Sequence, residues 1–418
     1  MTGPMIFVFF ALMAISVPVA HAMLGGVAAA LWLDGKPMAV LAQRLYTPTQ
    51  SFPMLAIPFF ILAGSLMMSG RFGVYLVNIA RLLVGNMKGG LGQVSIIGSV
   101  MFGGVSGSAV ADASALGNAL IPVQKEQGYP AGFAAAINSA SSTVSVLIPP
   151  SIPLILFGLI SNVSIVDLFV AGILPGVMLG VGMFITVWIV AHRKNLPRSP
   201  LEGGFRAFRS QILTAIPALL MPVFVIGTLR FGVATPTEVS VMAVAYALIV
   251  SGLVYRDLTL KGMWQAAVQT AMMTGAVMII IMASSTIQWL LTVGQVPQNL
   301  AAWVGATFSQ PWMVIIALNL VMLVVGAFLD LPAAILLLGP LFVTIGKSIG
   351  LDPVQLGLMM VVNLSIGLYT PPVGTTLFIS GAIARCGIGE VCRALLPFYA
   401  VAIIVLLLIS FVPALTIY

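Results

Sequence analysis

The sequence predicts an all-α polytopic membrane protein, built as an inverted repeat with two re-entrant helical hairpins and two broken helices. Of its 418 residues, 60% are hydrophobic and only 6% are charged, whereas soluble domains carry about 25% charged residues. Uncharged runs such as residues 262–329 exceed one crossing of about 20 residues, so they must fold back. Glycine and proline interruptions recur at matching spacing in both halves, which is typical of secondary transporters.

Charge and the N-terminal run set the expected topology. The helix order places 13 of the 17 basic residues on one face, and the positive-inside rule makes that face cytoplasmic with both termini periplasmic. This distribution explains the net charge of +7 without a nucleic-acid partner. Residues 5–33 are expected to form one retained crossing with a kink at Pro18. Cys386 and Cys392 fall on the cytoplasmic side, where thiols stay reduced.

The stretch from Gly103 to Asp112 predicts the tip of the first hairpin. Its run, residues 89–124, contains Asp112 as its only charged residue. Glycines and serines here would interrupt a helix at membrane depth, where irregular backbone is tolerated only against protein or a watery cavity. Ser106, Ser108 and Asp112 supply the oxygen ligands that a hard cation such as Na⁺ prefers. The alternative is that glycine and serine only permit close helix packing.

The prolines at 149 and 150 predict a break in the following helix, opposite this tip. Two prolines remove two backbone donors and leave carbonyls in the preceding turn free to face a cation. We therefore expect Pro149 and Pro150 to belong to the same Na⁺ site as the serines of the tip.

The second half repeats this pattern. Asp330 follows Asp112 by 218 residues, and Pro371 follows Pro149 by 222. We expect a second cation site at Asp330, Thr370 and Pro371, although the second tip, residues 326–330, contains no serine. For both aspartates, a helix-capping role remains an alternative to cation binding.

An anionic solute would be held by N–H groups at half-helix starts, since the tip sequences contain no Lys or Arg. The polar contacts expected for such a substrate are Asn138, Ser145, Thr375 and Thr376. Glu238, after Thr235-Pro236-Thr237, is expected to cap a helix.

Gly104-Val-Ser106-Gly107 also fits the short pattern of intramembrane serine proteases, whose serine needs a histidine base. The two histidines, His21 and His192, fall in the first crossing and in a basic linker. A protease is therefore the weaker alternative, and no phosphate-binding loop or His–Glu metal motif predicts another enzyme.

Residues 103–112, 138–153 and 369–374, together with Val17-Pro-Val-Ala-His21, resemble the large membrane subunit of TRAP (tripartite ATP-independent periplasmic) transporters over essentially the whole chain. The resemblance implies an elevator-type fold in which a scaffold clamps a mobile transport domain. It also implies Na⁺-driven import of organic acids such as C4-dicarboxylates, sialic acid or sugar acids. The implied partners are a small four-helix membrane subunit, a periplasmic substrate-binding protein and the lipid of the bacterial inner membrane. A stand-alone Na⁺/carboxylate symporter remains an alternative.

On this basis the chain divides into seven parts. They are scaffold helices with an interfacial arm (1–87), hairpin 1 and broken helix 1 of the transport domain (88–166), a scaffold helix (167–191), a cytoplasmic linker (192–210), scaffold helices with a second arm (211–310), hairpin 2 and broken helix 2 (311–384), and a C-terminal scaffold helix (385–418).

Overall fold

The apolar runs of the sequence fold into helices joined by turns in the computed structural model, which describes residues 2–70, 72–199, 204–308 and 310–416. Seven helices are long and apolar enough to cross a membrane, or eight if one bent pair counts as a single span. The polytopic helical class predicted from composition is therefore confirmed. The side chains of residues 204–212, among them Arg206 and Arg209 of the predicted basic face, lie outside the described part.

The helices of the first half end in the long helix α10. They are α1 (Thr2–Ala14), α2 (Val19–Leu33), α3 (Ala39–Tyr46), α4 (Ala56–Met68), α5 (Phe72–Val84), α6 (Gly90–Ser106), α7 (Ala109–Glu126), α8 (Ala131–Ser141), α9 (Ile152–Ser161) and α10 (Ile165–Arg193).

The second half repeats the order of hairpin and broken helix. Its helices are α11 (Gly204–Arg230), α12 (Pro236–Ile249), α13 (Leu260–Val293), α14 (Val296–Thr307), α15 (Pro311–Phe328), α16 (Leu331–Ser348), α17 (Pro353–Gly367), α18 (Thr375–Ala384) and α19 (Ile388–Phe411).

The N-terminal segment differs from the single kinked crossing expected for residues 5–33. Ser16 adopts a positive φ of 66°, and Pro18, which cannot donate an intrahelical hydrogen bond, precedes α2. The chain therefore folds back, and α1 packs on α2. A Cβ added to Gly26 would lie 2.8 Å from the Met5 carbonyl oxygen, so glycine permits this close approach.

The predicted interfacial arm is helix α3 with the short helical turn after it. The arm meets the segment containing α4 at an angle of 67°. Lys36 and Arg44 lie over the ring of Trp289, with the Lys36 ammonium 5.8 Å and the Arg44 guanidinium 5.3 Å from the ring centroid. These cation–π contacts join the arm to α13.

Hairpin 1 consists of α6 and α7, and its open end is held by an amide. Gln124 Nε2 donates to the Leu91 carbonyl and to Ser95 Oγ, both at 3.0 Å. Gln124 lies near the end of α7 and Leu91 near the start of α6, so the two helices run antiparallel as predicted. Hairpin 2 consists of α15 and α16.

Each hairpin is followed by a broken helix. The first consists of α8 and α9, separated by a short 3-10 segment (Ser142–Val146) and the prolines at 149 and 150. The second consists of α17 and α18, separated by residues 368–374. Both Pro-Pro peptide bonds are cis. The two interruptions predicted from the prolines are thus confirmed in position.

Helix α10 packs on the first break and on hairpin 1 through three glycines spaced four residues apart. Gly172 faces the Leu147 carbonyl, Gly176 faces the Ile148 side chain, and Gly180 faces Val100. The segment after α10 then bonds to the entrance of hairpin 1. Ser199 N donates to the Gly85 carbonyl at 2.9 Å.

Glu238 caps the N-terminus of α12, as predicted. Thr235 N donates to Glu238 Oε2 at 2.7 Å, and Glu238 N donates to Thr235 Oγ1 at 3.4 Å, which is a reciprocal capping box.

Candidate functional site

The tip of hairpin 1 is a two-residue turn between α6 and α7. Gly107 takes a left-handed φ of 57°, which glycine adopts without steric cost. Ser108 follows as the N-cap of α7, and its Oγ accepts a hydrogen bond from Ala111 N at 3.4 Å. Ser108, rather than Asp112, therefore caps this helix.

Asp112 lies one turn into α7 and is fully buried. Neither of its carboxylate oxygens has a hydrogen-bond partner among the described residues. The Ser99 hydroxyl is adjacent, but it donates to Ser141 Oγ at 3.0 Å. A buried carboxylate without a partner is unfavourable unless it binds a cation or a proton. The capping alternative predicted for Asp112 does not account for its environment.

The first tip packs directly on the first break. A Cβ at Gly107 would overlap the Pro150 carbonyl oxygen, and a Cβ at Gly103 would lie 2.6 Å from Ser145 Cα. Pro149 and Pro150 are both buried. The structure thus brings together the serine-containing tip and the proline break that were predicted separately.

The second tip and break also meet through glycines. A Cβ at Gly367 would overlap the Gly326 carbonyl oxygen, and Val373 N donates to the Ala327 carbonyl at 3.3 Å. Asp330 directly precedes α16, but its side chain makes no capping hydrogen bond.

Two further candidates of the second site have different surroundings. Thr370 Oγ1 donates to the Ile366 carbonyl at 2.7 Å, and Pro371 is exposed. The second break is therefore more open than the first, whose prolines are covered.

The four predicted substrate contacts differ in their surroundings, and two of them, Asn138 and Thr376, join the two broken helices. Asn138 Nδ2 donates to the Ala113 carbonyl at 2.8 Å and to Ser380 Oγ at 2.9 Å. Thr376 Oγ1 donates to the Leu368 carbonyl at 2.9 Å, and Ser145 Oγ donates to the Ser142 carbonyl at 2.6 Å. The buried Thr375 Oγ1 has no partner among the described residues. Their role as substrate ligands stays a prediction.

Two adjoining cavities lie between the hairpin tips and the helices α4 and α13. We call the first, of about 250 Å³, the tip cavity, because both tips line it. We call the second, of about 290 Å³, the side cavity; hairpin 1, α4 and α13 line most of it. Both cavities are lined by Ile61, Ser108, Ile152 and Met273.

Three helices begin at the wall of the tip cavity. Their first residues, Ala109 of α7, Ile152 of α9 and Leu331 of α16, all line it. The first N–H groups of a helix have no intrahelical partner, and the helix dipole makes this end positive. Three such ends on one cavity favour an anionic group. The opposite wall is apolar and includes Ala276, Val277 and Ile280 of α13.

The side cavity has hydroxyls and amides in its lining, beside apolar residues of α4, α13 and hairpin 1. Ser106 and Ser108 of the tip, which the sequence predicts as cation ligands, line it together with Ser114. The sequence reasoning missed its other polar residues, which are Ser65, Asn118 and Gln269. An amide on an exposed face of an otherwise apolar helix could have indicated Gln269, but its facing partner on α7 depends on the tertiary fold.

A cation at the tips would have to be bound by hydroxyl, carboxylate and carbonyl oxygens. Within the described ranges there is no group of three or more His, Cys, Asp or Glu side chains that could hold a metal ion. The oxygens at the first tip suit Na⁺ rather than a metal that prefers nitrogen or sulfur ligands. Asp112 provides a negative charge near this tip, and Asp330 of the second tip lines the tip cavity together with Gly107 and Ser108.

Ser106 lacks the base that a serine protease requires. Neither histidine belongs to the described lining of the two cavities. His192 instead lies on α10, where its Nδ1 is 2.8 Å from the Trp188 carbonyl oxygen. The geometry supplies no nucleophile–base pair.

Comparison with known proteins identifies a matching family and similar relatives over most of the chain. Residues 6–415 match the family described as "Tripartite ATP-independent periplasmic transporter, DctM component". The chain is 51% identical to the uncharacterized protein y4mL of Sinorhizobium fredii over 100% of both chains. It is 36% identical to the 2,3-diketo-L-gulonate TRAP transporter large permease protein YiaN of Escherichia coli, over 97% of this chain and 95% of the relative.

A solved structure shares the fold. The YdaH transporter of Alcanivorax borkumensis, whose crystal structure is described as having an unusual topology, superposes with a TM-score of 0.61 at 17% identity. The match covers 88% of this chain and 86% of the YdaH chain. At this identity the likeness concerns the fold alone.

Proposed function

Because the chain belongs to the DctM component family of tripartite ATP-independent periplasmic transporters, we propose that it is the large membrane subunit of a Na⁺-coupled importer of an organic acid. It is a multi-pass membrane transporter component and not an enzyme. The observation that carries the proposal is the tip cavity, where three helix N-termini converge.

The carboxylate of the solute would bind at these helix starts. Asp330 also lines the tip cavity, and its negative charge would repel an anion. A cation bound at Asp330 with the second break would remove this repulsion. Na⁺ and the acid would then bind with positive coupling, because each lowers the electrostatic cost of the other.

The first Na⁺ site would use Asp112 with Ser106, Ser108 and carbonyls of the break at Pro149 and Pro150. Asp112 supports this role, since it is buried with both carboxylate oxygens unpartnered. In the second site, Asp330 would act with Thr370 and the carbonyls before Pro371. Na⁺ would hold each hairpin tip against its broken helix and so complete the carboxylate site.

Transport would move the hairpins and broken helices across the scaffold in an elevator motion. The proposed partners are a small four-helix membrane subunit and a periplasmic binding protein that delivers the acid. The complex would lie in the bacterial inner membrane with both termini of this chain in the periplasm. Helix α4 would belong to the scaffold, and the first tip packs closely on it. A Cβ at Gly64 would lie 3.3 Å from Ser106 Cα.

Uptake by reconstituted vesicles tests the proposal. Vesicles containing this chain, the small subunit and the binding protein should take up labelled organic acid when Na⁺ is higher outside than inside. Equal uptake with K⁺ alone would contradict Na⁺ coupling. Uptake that persists without the binding protein and the small subunit would favour a stand-alone symporter.

A further inference from the structure

The side cavity extends beyond the residues assigned to the carboxylate and Na⁺ sites, of which it includes Ser106 and Ser108 of the first tip. It adjoins the tip cavity, with which it shares Ile61, Ser108, Ile152 and Met273. A solute whose carboxylate lies at the three helix starts would therefore extend its remaining atoms into the side cavity. The lining of this cavity decides which solutes fit.

Neutral polar side chains line part of this cavity, beside apolar residues. Asn118 on α7 and Gln269 on α13 both line it, as do the hydroxyls of Ser65 and Ser114. Asn118 Nδ2 donates to the Ser114 carbonyl at 2.8 Å, which fixes the amide and leaves its carbonyl oxygen to accept. The side chains of Ser65, Ser114 and Gln269 have no hydrogen-bond partner among the described residues. These groups can donate and accept, which suits hydroxyls.

Charge complementarity argues against a second carboxylate in this position. Among the described residues, no Lys or Arg lines the side cavity. Of the three helix starts at the tip cavity, those of α7 and α9 also border the side cavity, through Ser108 and Ile152. A carboxylate beside Asn118 and Gln269 would keep its charge without a cationic side chain, which is unfavourable. A hydroxyl would exchange water for Ser, Asn or Gln partners at little cost.

We propose that the side cavity is a polyol subsite, and that the transported acid is a polyhydroxylated monocarboxylate rather than a dicarboxylate. Asn118 and Gln269 are the specificity-determining residues, since they approach the solute from the transport hairpin and from the scaffold respectively. The inference rests on the proposed carboxylate site, because that site sets the direction in which the solute extends.

Three acids separate the contributions of the hydroxyls and of a second charge. D-gluconate and hexanoate are both six-carbon monocarboxylates and differ in five hydroxyl groups, while succinate carries a second carboxylate. Binding is measured by titration of the purified membrane complex in Na⁺ buffer, without the binding protein, which would impose its own selectivity. We expect D-gluconate to bind at least about tenfold more tightly than hexanoate or succinate.

Asn118→Ala and Gln269→Ala should each weaken D-gluconate binding about fivefold and leave hexanoate binding unchanged, because each removes hydrogen bonds to hydroxyls. Gln265→Ala is the matched control. It makes the same change one turn earlier on α13, outside the side cavity, and should leave all three affinities unchanged.

The outcomes distinguish this subsite from the function on which it depends. Three results would overturn the polyol subsite alone. They are equal affinity for D-gluconate and hexanoate, tighter binding of succinate than of D-gluconate, and an equal loss of affinity for all three acids in Asn118→Ala. Absence of Na⁺-dependent binding by all three acids would overturn the carboxylate site as well.

Discussion

At the scale of single residues, Asp112 has the most unusual environment. It is fully buried, and both of its carboxylate oxygens lack a partner among the described residues. Removing one member of a buried charge pair usually costs about 3–5 kcal/mol, because the remaining charge is uncompensated. An ionised Asp112 without a cation would be in this situation, so cation binding should stabilise the protein.

Asp112→Asn should remove the stabilisation by Na⁺ at the first site while preserving the fold. The amide is neutral and of similar size, so the melting temperature in K⁺ buffer should stay equal or rise. Each occupied site should add about 2.7 kcal/mol when Na⁺ is a hundredfold above its dissociation constant, so the variant should keep only the gain from the site at Asp330. Thermal unfolding in Na⁺ and K⁺ measures both values.

Asp167→Asn provides the control, since this aspartate lies in the first turn of α10 and outside both cavities. It should keep the full response to Na⁺. A normal Na⁺ response in Asp112→Asn would show that this carboxylate does not bind the cation.

At the scale of elements, each hairpin tip is held on its broken helix by close backbone contacts. Gly107 contributes twice to the first contact, through its left-handed φ of 57° and through its approach to the Pro150 carbonyl. Any larger residue meets strain from the backbone and overlap with the break.

Gly107→Ala should therefore displace the tip and lower both stability and Na⁺ binding. We expect a loss of about 1–3 kcal/mol in the free energy of unfolding. The dissociation constant for Na⁺, measured from the Na⁺ dependence of thermal unfolding, should rise at least about tenfold.

Gly227→Ala is the matched control, because Gly227 lies within α11 with open space around it. The same change there should stabilise the helix by about 0.5–1 kcal/mol. Gly107→Ala behaving like Gly227→Ala would contradict the assigned contact.

The segment after α10 forms a second link between elements. The buried Ser199 Oγ accepts from Gln127 Nε2 at 3.0 Å and from Arg81 Nη2 at 3.3 Å. Gln127 caps the end of α7, and Arg81 lies on α5. One hydroxyl thus joins the base of hairpin 1 to the preceding helix.

Ser199→Ala should leave these two donors unpaired and destabilise the protein by about 1–3 kcal/mol. Amide hydrogen exchange should become faster at Gly85 and Gly89, the connector against which this segment packs. Lys88→Ala, which removes only the exposed hydrogen bond from Lys88 to Asn195, should change stability by less than about 0.5 kcal/mol. Similar exchange rates in all three proteins would contradict the role of Ser199.

At the scale of the whole molecule, orientation follows from charge, and two native thiols can test it. Cys386 and Cys392 are free and partly exposed, and they lie on the face that we predict to be cytoplasmic. Cys386 lies in the turn between α18 and α19. Burial raises the pKa of its thiol, as does the nearby Glu390 carboxylate, while Lys125 lowers it.

In a Cys392→Ser variant, Cys386 is the single thiol that a maleimide can label. A membrane-impermeant maleimide should label it in inside-out vesicles and not in right-side-out vesicles. Because its pKa is raised, the reactive thiolate is scarce at pH 7. The labelling rate should rise about tenfold per pH unit until the pKa is reached. Cys386→Ser with Cys392→Ser gives the background. Labelling restricted to right-side-out vesicles would reverse the predicted orientation.

Particular residues show how far sequence reasoning reaches in this chain. Local chemistry located the tips and the breaks, because clustered glycines and serines favour a turn and consecutive prolines remove the donors that a helix needs. The same reasoning was wrong about residues 5–33, where the positive φ of Ser16 and the packing of α1 on α2 reverse the chain. It also missed Asn118 and Gln269, since neither lies beside an interruption.

The sequence by itself determined the membrane class, the helical hairpins, the broken helices and their repeated order. These follow from hydropathy and from backbone groups that must be satisfied within each segment. The tertiary structure alone decided that Ser108 caps α7 while Asp112 stays unpartnered, that three helix starts meet at one cavity, and that a neutral polar cavity adjoins it. These features depend on contacts between residues distant in the chain, which local periodicity does not encode.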